Sequence, residues 1–440
     1  MRIVQAVGWY FPDRTGGTEV YVSALSRRLT AGGHHVDIVA PEPGGREPRT
    51  YLHEGIRVHR FPIPMQLTRE QAQGRRDIPG SEWFVRWIAS LRPDVVHFHT
   101  LVPGLELSEV RAAKAAAARV IATTHSSSLG HICARGTLMH WGEAACDGMA
   151  AAAKCAACNL QSRGLSKPMA RVVSLVPPPF GEVLRHLPGR TGTALGMSAA
   201  MAFNRTRQDA LVDVVDRFVL LTAAAAEIVR RNGAPAGKLS LNRLGVDSPG
   251  VRKPPPSVRR TTRPVRIGYV GRFDEIKGVF DLVRAMTVLD PSAAIALDIR
   301  GPADTNESRA VQAQIARMSA DDKRISIGTS LAPADVSTHL ASLDVVCCPS
   351  VCLEGGPTVA LEAHAVGTPV IGTRIGGLAE LVTDGVNGRL VAPGDWRALA
   401  SVLADIAADP SSTVDRWRTA LPEPRTMDQV AADYLELYAA

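Results

Sequence analysis

Residues 347–393 read C-C-P-S-V-C-L-E-G-G-P-T-V-A-L-E-A-H-A-V-G-T-P-V-I-G-T-R-I-G-G-L-A-E-L-V-T-D-G-V-N-G-R-L-V-A-P. Two carboxylates, Glu354 and Glu362, stand at the centre, separated by seven residues that include Gly355, Gly356 and Pro357. The apolar run 344–348 reads as a short buried strand that Pro349 ends, since proline cannot donate to a ladder. Pro357 suits the first residue of a helix, where its missing N–H would have no partner in any case. The spacing therefore predicts Glu354 in a strand-to-helix loop and Glu362 on the helix just past its first turn. The free amides near Gly356 to Val359, those of Gly356, Thr358 and Val359, would form an anion site beside two acceptor carboxylates. A phosphate and a set of hydroxyls together suit such a site.

A complementary stretch lies upstream, G-Y-V-G-R-F-D-E-I-K-G over 268–278, where a strand over 265–270 runs into a loop with Arg272 and Lys277 five apart. Two cations beside one helix start can neutralise a diphosphate that the other loop grips by its amides.

The pattern G-R-x4-K-G, then E-x7-E about eighty residues on, then A-x-G-x-P-V-I and G-G-L-A-E-L-V-x-D-G-x-N-G-x-L-V, resembles the retaining glycosyltransferases of the GT-B type, family 4, over most of 265–408. The resemblance implies an α/β fold of two Rossmann-like domains facing across a cleft. It also implies that Arg272 and Lys277 hold the donor diphosphate, that Glu354 contacts sugar hydroxyls and that Glu362 binds the ribose. One departure is visible: the family often has Gly-Phe-Gly after the first glutamate, and here Gly355, Gly356 and Pro357 follow Glu354. Sugar preference is accordingly less determined than diphosphate binding.

At 440 residues the chain is too long for one core and divides into two domains. The expected boundaries are 1–247, holding the acceptor, a Pro/Arg-rich linker over 248–262, and a nucleotide-sugar domain over 263–410. Helices over 411–440 follow, and the resemblance sends the last of them back to the first domain. With 45% hydrophobic and 21% charged residues this is an ordinary globular composition. Aromatics make up only 5%, which argues against a stacking platform for single-stranded nucleic acid. No apolar run approaches the ~20 residues that span a bilayer. M-R-I-V-Q-A-V is too short for a signal peptide and reads as a first strand, so a cytoplasmic location is expected, with peripheral contact at the inner face of the membrane as its variant.

The net charge of +7 is uneven: residues 159–263 hold 17 Lys and Arg against 6 Asp and Glu. That sector either attracts an anionic membrane or a phosphorylated acceptor, or is a set of solvated helix faces plus a basic linker. The second reading is preferred, because the charges form no polybasic block.

Along the first half, a strand over 2–7, a helix over 18–31 capped by Thr18, and a strand over 36–40 make a βαβ start. Gly16 and Gly17 let the intervening loop approach a ligand, and they resemble the family's N-terminal glycine loop. Strands over 94–99 and 119–125 end in His99 and His125. His125 corresponds to the family's catalytic-loop histidine, although Ser126 stands where Asp often follows; His99 reads as a satisfied structural histidine. Cys133, Cys146, Cys155 and Cys158, spaced C-x12-C-x8-C-x2-C within a Cys-rich insertion over 126–208, suit a structural tetrahedral Zn²⁺ ahead of an iron–sulfur cluster or unliganded thiols. Cys347, Cys348 and Cys352 read as small apolar residues.

The function expected is transfer of a sugar from a UDP- or GDP-linked donor, with retention, to a small metabolite, a lipid-linked glycan or a thiol. No Asp-x-Asp motif is present, and no catalytic cofactor is expected. The rivals are a nucleotide-sugar epimerase or hydrolase of the same fold and a donor-binding subunit without catalysis. A nucleic-acid partner is not expected, because the basic excess lacks interleaved aromatics.

Overall fold

A computed structural model describes residues 1–13, 16–117, 119–247 and 263–440, and the linker expected over 248–262 lies outside them. The chain separates into two compact units. The first takes in Met1–Trp141, Cys146–Arg243 and Met427–Ala440, and the second Gly142–Ala145 and Leu244–Thr426. Among the described residues no helix is long and apolar enough to cross a membrane.

The first unit is built on eight strands: β1 Arg2–Ala6, β2 His35–Pro43, β3 Arg49–His53, β4 Ile56–Ile63, β5 Val95–Phe98, β6 Arg119–Thr123, β7 Arg217–Leu220 and β8 Leu239–Leu241. They lie in the order β8-β7-β6-β5-β1-β2-β4-β3, parallel throughout except for the β3–β4 pair. Ile3 pairs with Val36 on one side and Val95 on the other, so β1 is the central strand. Ile3, Val4, Ile38, Val39, Val96, Val120 and Ile121 are fully buried, as a parallel sheet covered on both faces requires.

The helix after β1 runs Gly17–Ala31 and starts earlier than a Thr18 cap would allow. The Glu19 carboxylate accepts the Gly16 N–H at 2.7 Å, and that bond fixes Gly16 as the cap. Residues 167–207, which lack clear periodicity, form helices Lys167–Ser174, Pro178–Leu184, Gly189–Leu195 and the first part of Met197–Val214. Pro168 and Pro178 stand in the first turns of two of these helices, where no N–H is needed.

The second unit carries β9 Val265–Val270, β10 Ile295–Arg300, β11 Ile325–Gly328, β12 Val345–Cys348, β13 Val370–Thr373 and β14 Gly388–Val391. Their order is β11-β10-β9-β12-β13-β14, all parallel. Strand order reverses between β9 and β12, and in open α/β sheets the crevice beyond the carboxyl ends at such a point is where ligands bind. Ile267, Ile299, Val345 and Ile371 fill the core with Leu403 and Trp417 from the covering helices.

Gly278 holds the two loops at this switch point together. It is left-handed (φ 72°), and a Cβ there would collide with the Pro349 carbonyl oxygen on the loop after β12. Gly278→Ala is expected to destabilise the second unit by about 1–3 kcal/mol, measured by urea unfolding of the full chain. An unchanged midpoint would show that the loops separate at no cost.

Candidate functional site

In the second unit, β9 ends at Val270 and the chain turns through Gly271, Arg272 and Phe273. Asp274 then caps a short 3-10 turn, Glu275–Lys277, by accepting the Ile276 N–H at 3.2 Å. From that turn Lys277 extends to Glu354 on the loop after β12, with Nζ 2.9 Å from Oε1. The Ser350 hydroxyl donates to the same carboxylate oxygen. The two loops are also joined through their backbones, since the Val351 N–H reaches the Ile276 carbonyl at 2.9 Å.

The Glu354 backbone is gripped in turn. Its carbonyl accepts the Gly377 N–H at 2.9 Å, and a Cβ on left-handed Gly376 would stand 2.6 Å from that same oxygen. The pair G-G in the motif G-G-L-A-E-L-V is therefore what lets the loop after β13 lie against Glu354.

Lys277 and Glu354 are brought into contact; the other two members of the predicted quartet are placed differently. Arg272 is exposed and lies 3.6 Å from Asp274, an ion pair of little energetic weight. Glu362 sits in the second turn of the helix Thr358–Ala365, and burial pushes its carboxyl above the usual range. Pro357 occupies the cap position and Thr358 begins the helix, one residue later than the proline pattern suggests. Gly355 is followed by Gly356 at φ 113°, a conformation that permits the tight path from Glu354 into the helix. Cys347, Cys348 and Cys352 are buried, and burial pushes the last two thiols up to about 12, so they pack as neutral small side chains.

In the first unit His99, just beyond β5, and His125, just beyond β6, meet at the carboxyl edge: His99 Nδ1 lies 3.1 Å from His125 Nε2. His99 Nε2 is 2.6 Å from Gln5 Oε1. An amide oxygen can only accept, so His99 donates through Nε2 and accepts at Nδ1. His125 must then donate through its Nε2, which leaves its Nδ1 lone pair available to a hydroxyl.

Sequence reasoning missed the rest of this network. His97 Nδ1 meets the Tyr438 hydroxyl at 2.7 Å and its Nε2 meets Thr123 at 2.7 Å, while Thr123 also contacts the Tyr434 hydroxyl at 2.9 Å. The alternation D-V-V-H-F-H places His97 and His99 on one face of β5, and that period-two spacing was the available signal. Gly16 and Gly17 begin the helix after β1, beside the same central strand.

The first unit also carries an open pocket of about 690 Å³ lined by Arg75, Arg76, Glu106, Arg111, Phe203 and Arg207, among others. Arg207 pairs with Glu106, and Arg75 stacks over Phe203 at 4.2 Å while donating to Glu182 at 2.9 Å. Buried Nε and Nη2 of Arg75 have no hydrogen-bond partner. Arg76 and Arg111 are exposed.

The structure lends no support to the expected zinc site. Cys133, Cys146, Cys155 and Cys158 line one small cavity. Among the described residues, however, no three His, Cys, Asp or Glu side chains are placed to hold a metal ion. Cys146 Sγ lies 3.7 Å from Asp147 Oδ1, Cys158 Sγ 3.7 Å from the Met139 carbonyl, and the Leu138 N–H reaches Cys133 Sγ at 3.4 Å. Burial pushes the Cys146 and Cys155 thiols up, toward the protonated form.

Two doubly wound sheets, parallel but for the β3 edge of the first and each with polar side chains gathered at its carboxyl edge, define the architecture class of the GT-B proteins. The chain belongs to the glycosyltransferases: residues 264–409 match the family described as Glycosyl transferases group 1, and residues 15–172 match Glycosyltransferase Family 4. A D-inositol 3-phosphate glycosyltransferase of Paenarthrobacter aurescens is 32% identical over 255 residues, covering 52% of this chain and 58% of the relative. The chain thus spans little more than half the length of that relative. A glycogen synthase of Mycobacterium tuberculosis is 25% identical over 440 residues, covering 96% of this chain and 89% of the relative. Among solved structures, the sucrose-phosphate synthase of Thermosynechococcus elongatus superposes with a TM-score of 0.66 at 20% identity, covering 100% and 98% of the two chains. HepE of Anabaena, solved in complex with UDP-glucose, gives 0.62 at 15% identity, covering 100% and 99%. At these identities the likeness is one of fold.

Burial holds His97 and His99 well below the usual imidazole range and brings His125 down to about 4. Folded, these rings stay neutral where the unfolded chain would protonate them. Their contribution is therefore complete above about pH 6.5 and is lost as pH falls toward 4, by about 1.4 kcal/mol per pH unit for each ring. The Tm of the full chain is expected to drop steadily between pH 7 and 4.5, and a flat profile would contradict the arrangement.

Proposed function

We propose that the protein transfers a glycosyl group from a nucleotide diphosphate sugar, UDP- or GDP-linked, to an acceptor held by the first unit, with retention of anomeric configuration. The observation that carries this reading is the Lys277–Glu354 contact at the switch point of the second unit, 2.9 Å across, between loops that Gly278 and Gly376 lock in place. The family matches over residues 15–172 and 264–409 support it.

In this reading Lys277 and the exposed Arg272 neutralise the diphosphate. Cleavage of the anomeric C–O bond leaves a full charge on the departing diphosphate, so fixed cations lower the transition state more than the ground state. Amides at the start of Thr358–Ala365 add donors to the same oxygens. Glu354, already engaged by Lys277 and Ser350, accepts from sugar hydroxyls, and Glu362 accepts from the ribose. His125 presents its Nδ1 lone pair to a hydroxyl at the first unit's edge. No protein nucleophile is assigned. On the same face of the sugar, the acceptor hydroxyl attacks as the C–O bond opens, and its proton passes to the leaving phosphate oxygen. The arginine pocket holds the acceptor, and its cations suit one that carries an anionic group.

Lys277→Ala and Glu354→Gln are each expected to lower kcat/KM for the best nucleotide sugar by about 10²–10³-fold or more while the Tm stays within a few degrees of the parent. A thermal-shift panel of nucleoside diphosphates identifies that donor beforehand, and Lys277→Ala should abolish its shift. Near-parental turnover by Lys277→Ala would refute the assignment.

A further inference from the structure

The helices Lys167–Ser174 and Pro178–Leu184 bury one face and leave a second apolar face uncovered. On the inner side Ala170 and Val173 pack with Trp141, Ala156 and Leu160, and Gly181 lies against Ser198. On the outer side Met169, Val172, Leu175, Phe180 and Val183 are 60–71% exposed, with Leu187 at 40%. Single exposed apolar side chains are ordinary, but six within nineteen consecutive residues form a patch that needs an occupant.

Charge identifies the occupant. Residues 163–190 hold five basic side chains, of which Arg163, Arg171 and Arg190 are exposed, against a single acid. That acid, Glu182, is already held by Arg75 at 2.9 Å and Arg185 at 2.7 Å, so the patch keeps its positive charge. A second copy meeting this face symmetrically would set like charges against each other. An anionic bilayer surface instead pairs with the arginines while its acyl region takes up the protruding apolar side chains, which is how interfacial amphipathic helices bind.

We propose that the first unit docks on an anionic membrane surface through this shelf. The basic excess of residues 159–263 is then a docking surface in part, and not only a set of solvated faces. The shelf adjoins the arginine pocket, since Glu182 on the second helix bonds Arg75 and Arg185 pairs with Glu70. Membrane docking does not depend on the donor assignment, and its readout is partitioning, which is independent of turnover.

The test is co-sedimentation of the full chain with vesicles of phosphatidylglycerol and phosphatidylcholine in equal parts, compared with phosphatidylcholine alone. The mixed vesicles should bind about tenfold more tightly, and raised salt should weaken the binding. Phe180→Asp with Val183→Asp should lower partitioning about tenfold or more at unchanged Tm. Arg163→Gln and Arg190→Gln should each cost about fivefold and reduce the salt dependence. Equal binding to both vesicle types, or parental binding by the aspartate pair, would overturn the proposal. So would a concentration-dependent dimer, seen by sedimentation velocity, that the aspartate pair dissolves, since it would assign the shelf to a second copy.

Discussion

A lysine and a glutamate from two different βα loops, 77 residues apart in the chain, are held within hydrogen-bond distance where the strand order of the second unit reverses. Such a pair needs both loops fixed, because a Lys–Glu contact that two flexible side chains must find for themselves contributes almost nothing. The backbone does the fixing: the Val351 N–H bonds the Ile276 carbonyl, and Thr373 Oγ1 donates to the Ser350 carbonyl at 2.6 Å. Positions 278, 376 and 377 have no room for a side chain. A diphosphate arriving at this point meets a cation whose position is already determined, which is the condition for electrostatic stabilisation without reorganisation.

The first unit solves a different problem. Its carboxyl edge carries imidazoles rather than ion pairs, and burial keeps them neutral, so they act as oriented donors and acceptors. Gln5 on the central strand sets the direction of the chain from His99 to His125, while Tyr438 and Thr123 satisfy His97. A reader of hydroxyls benefits from a fixed tautomer in the same way that a reader of phosphates benefits from a fixed charge.

Much of the second unit was legible because its strands are short apolar runs bounded by Gly, Pro or Asp; Val265–Val270 falls where the pattern puts it, and Val345–Cys348 starts one residue inside the run 344–348. The β3–β4 pair was not legible, since I-R-V-H-R-F-P-I mixes charge into a buried strand. Arg60 is 1% exposed there; its Nη1 donates to the Pro41 carbonyl and its Nη2 to the Tyr10 carbonyl and to Asp13, partners that no local pattern reveals, while its buried Nε has none. The same limit hid the tyrosines of the histidine network, which join β5 from more than 300 residues away. Lys277 and Glu354 were legible as types at a spacing, and their contact was not. The four thiols were legible as a spacing, and the structure gathers them around one small cavity without placing any three His, Cys, Asp or Glu side chains, among the described residues, to hold a metal ion.

The helix Met427–Ala439 inserts Tyr434 and Tyr438 beneath β5 and β6 of the first unit, after the chain has already made all of the second. During synthesis the first unit's sheet must therefore wait, with His97 and Thr123 lacking their tyrosine partners, until nearly two hundred further residues have left the ribosome. Vectorial folding from the amino terminus cannot complete this architecture. The half made first is the half finished last, which makes the closing helix a natural checkpoint for chaperones and proteases that survey unfinished cores.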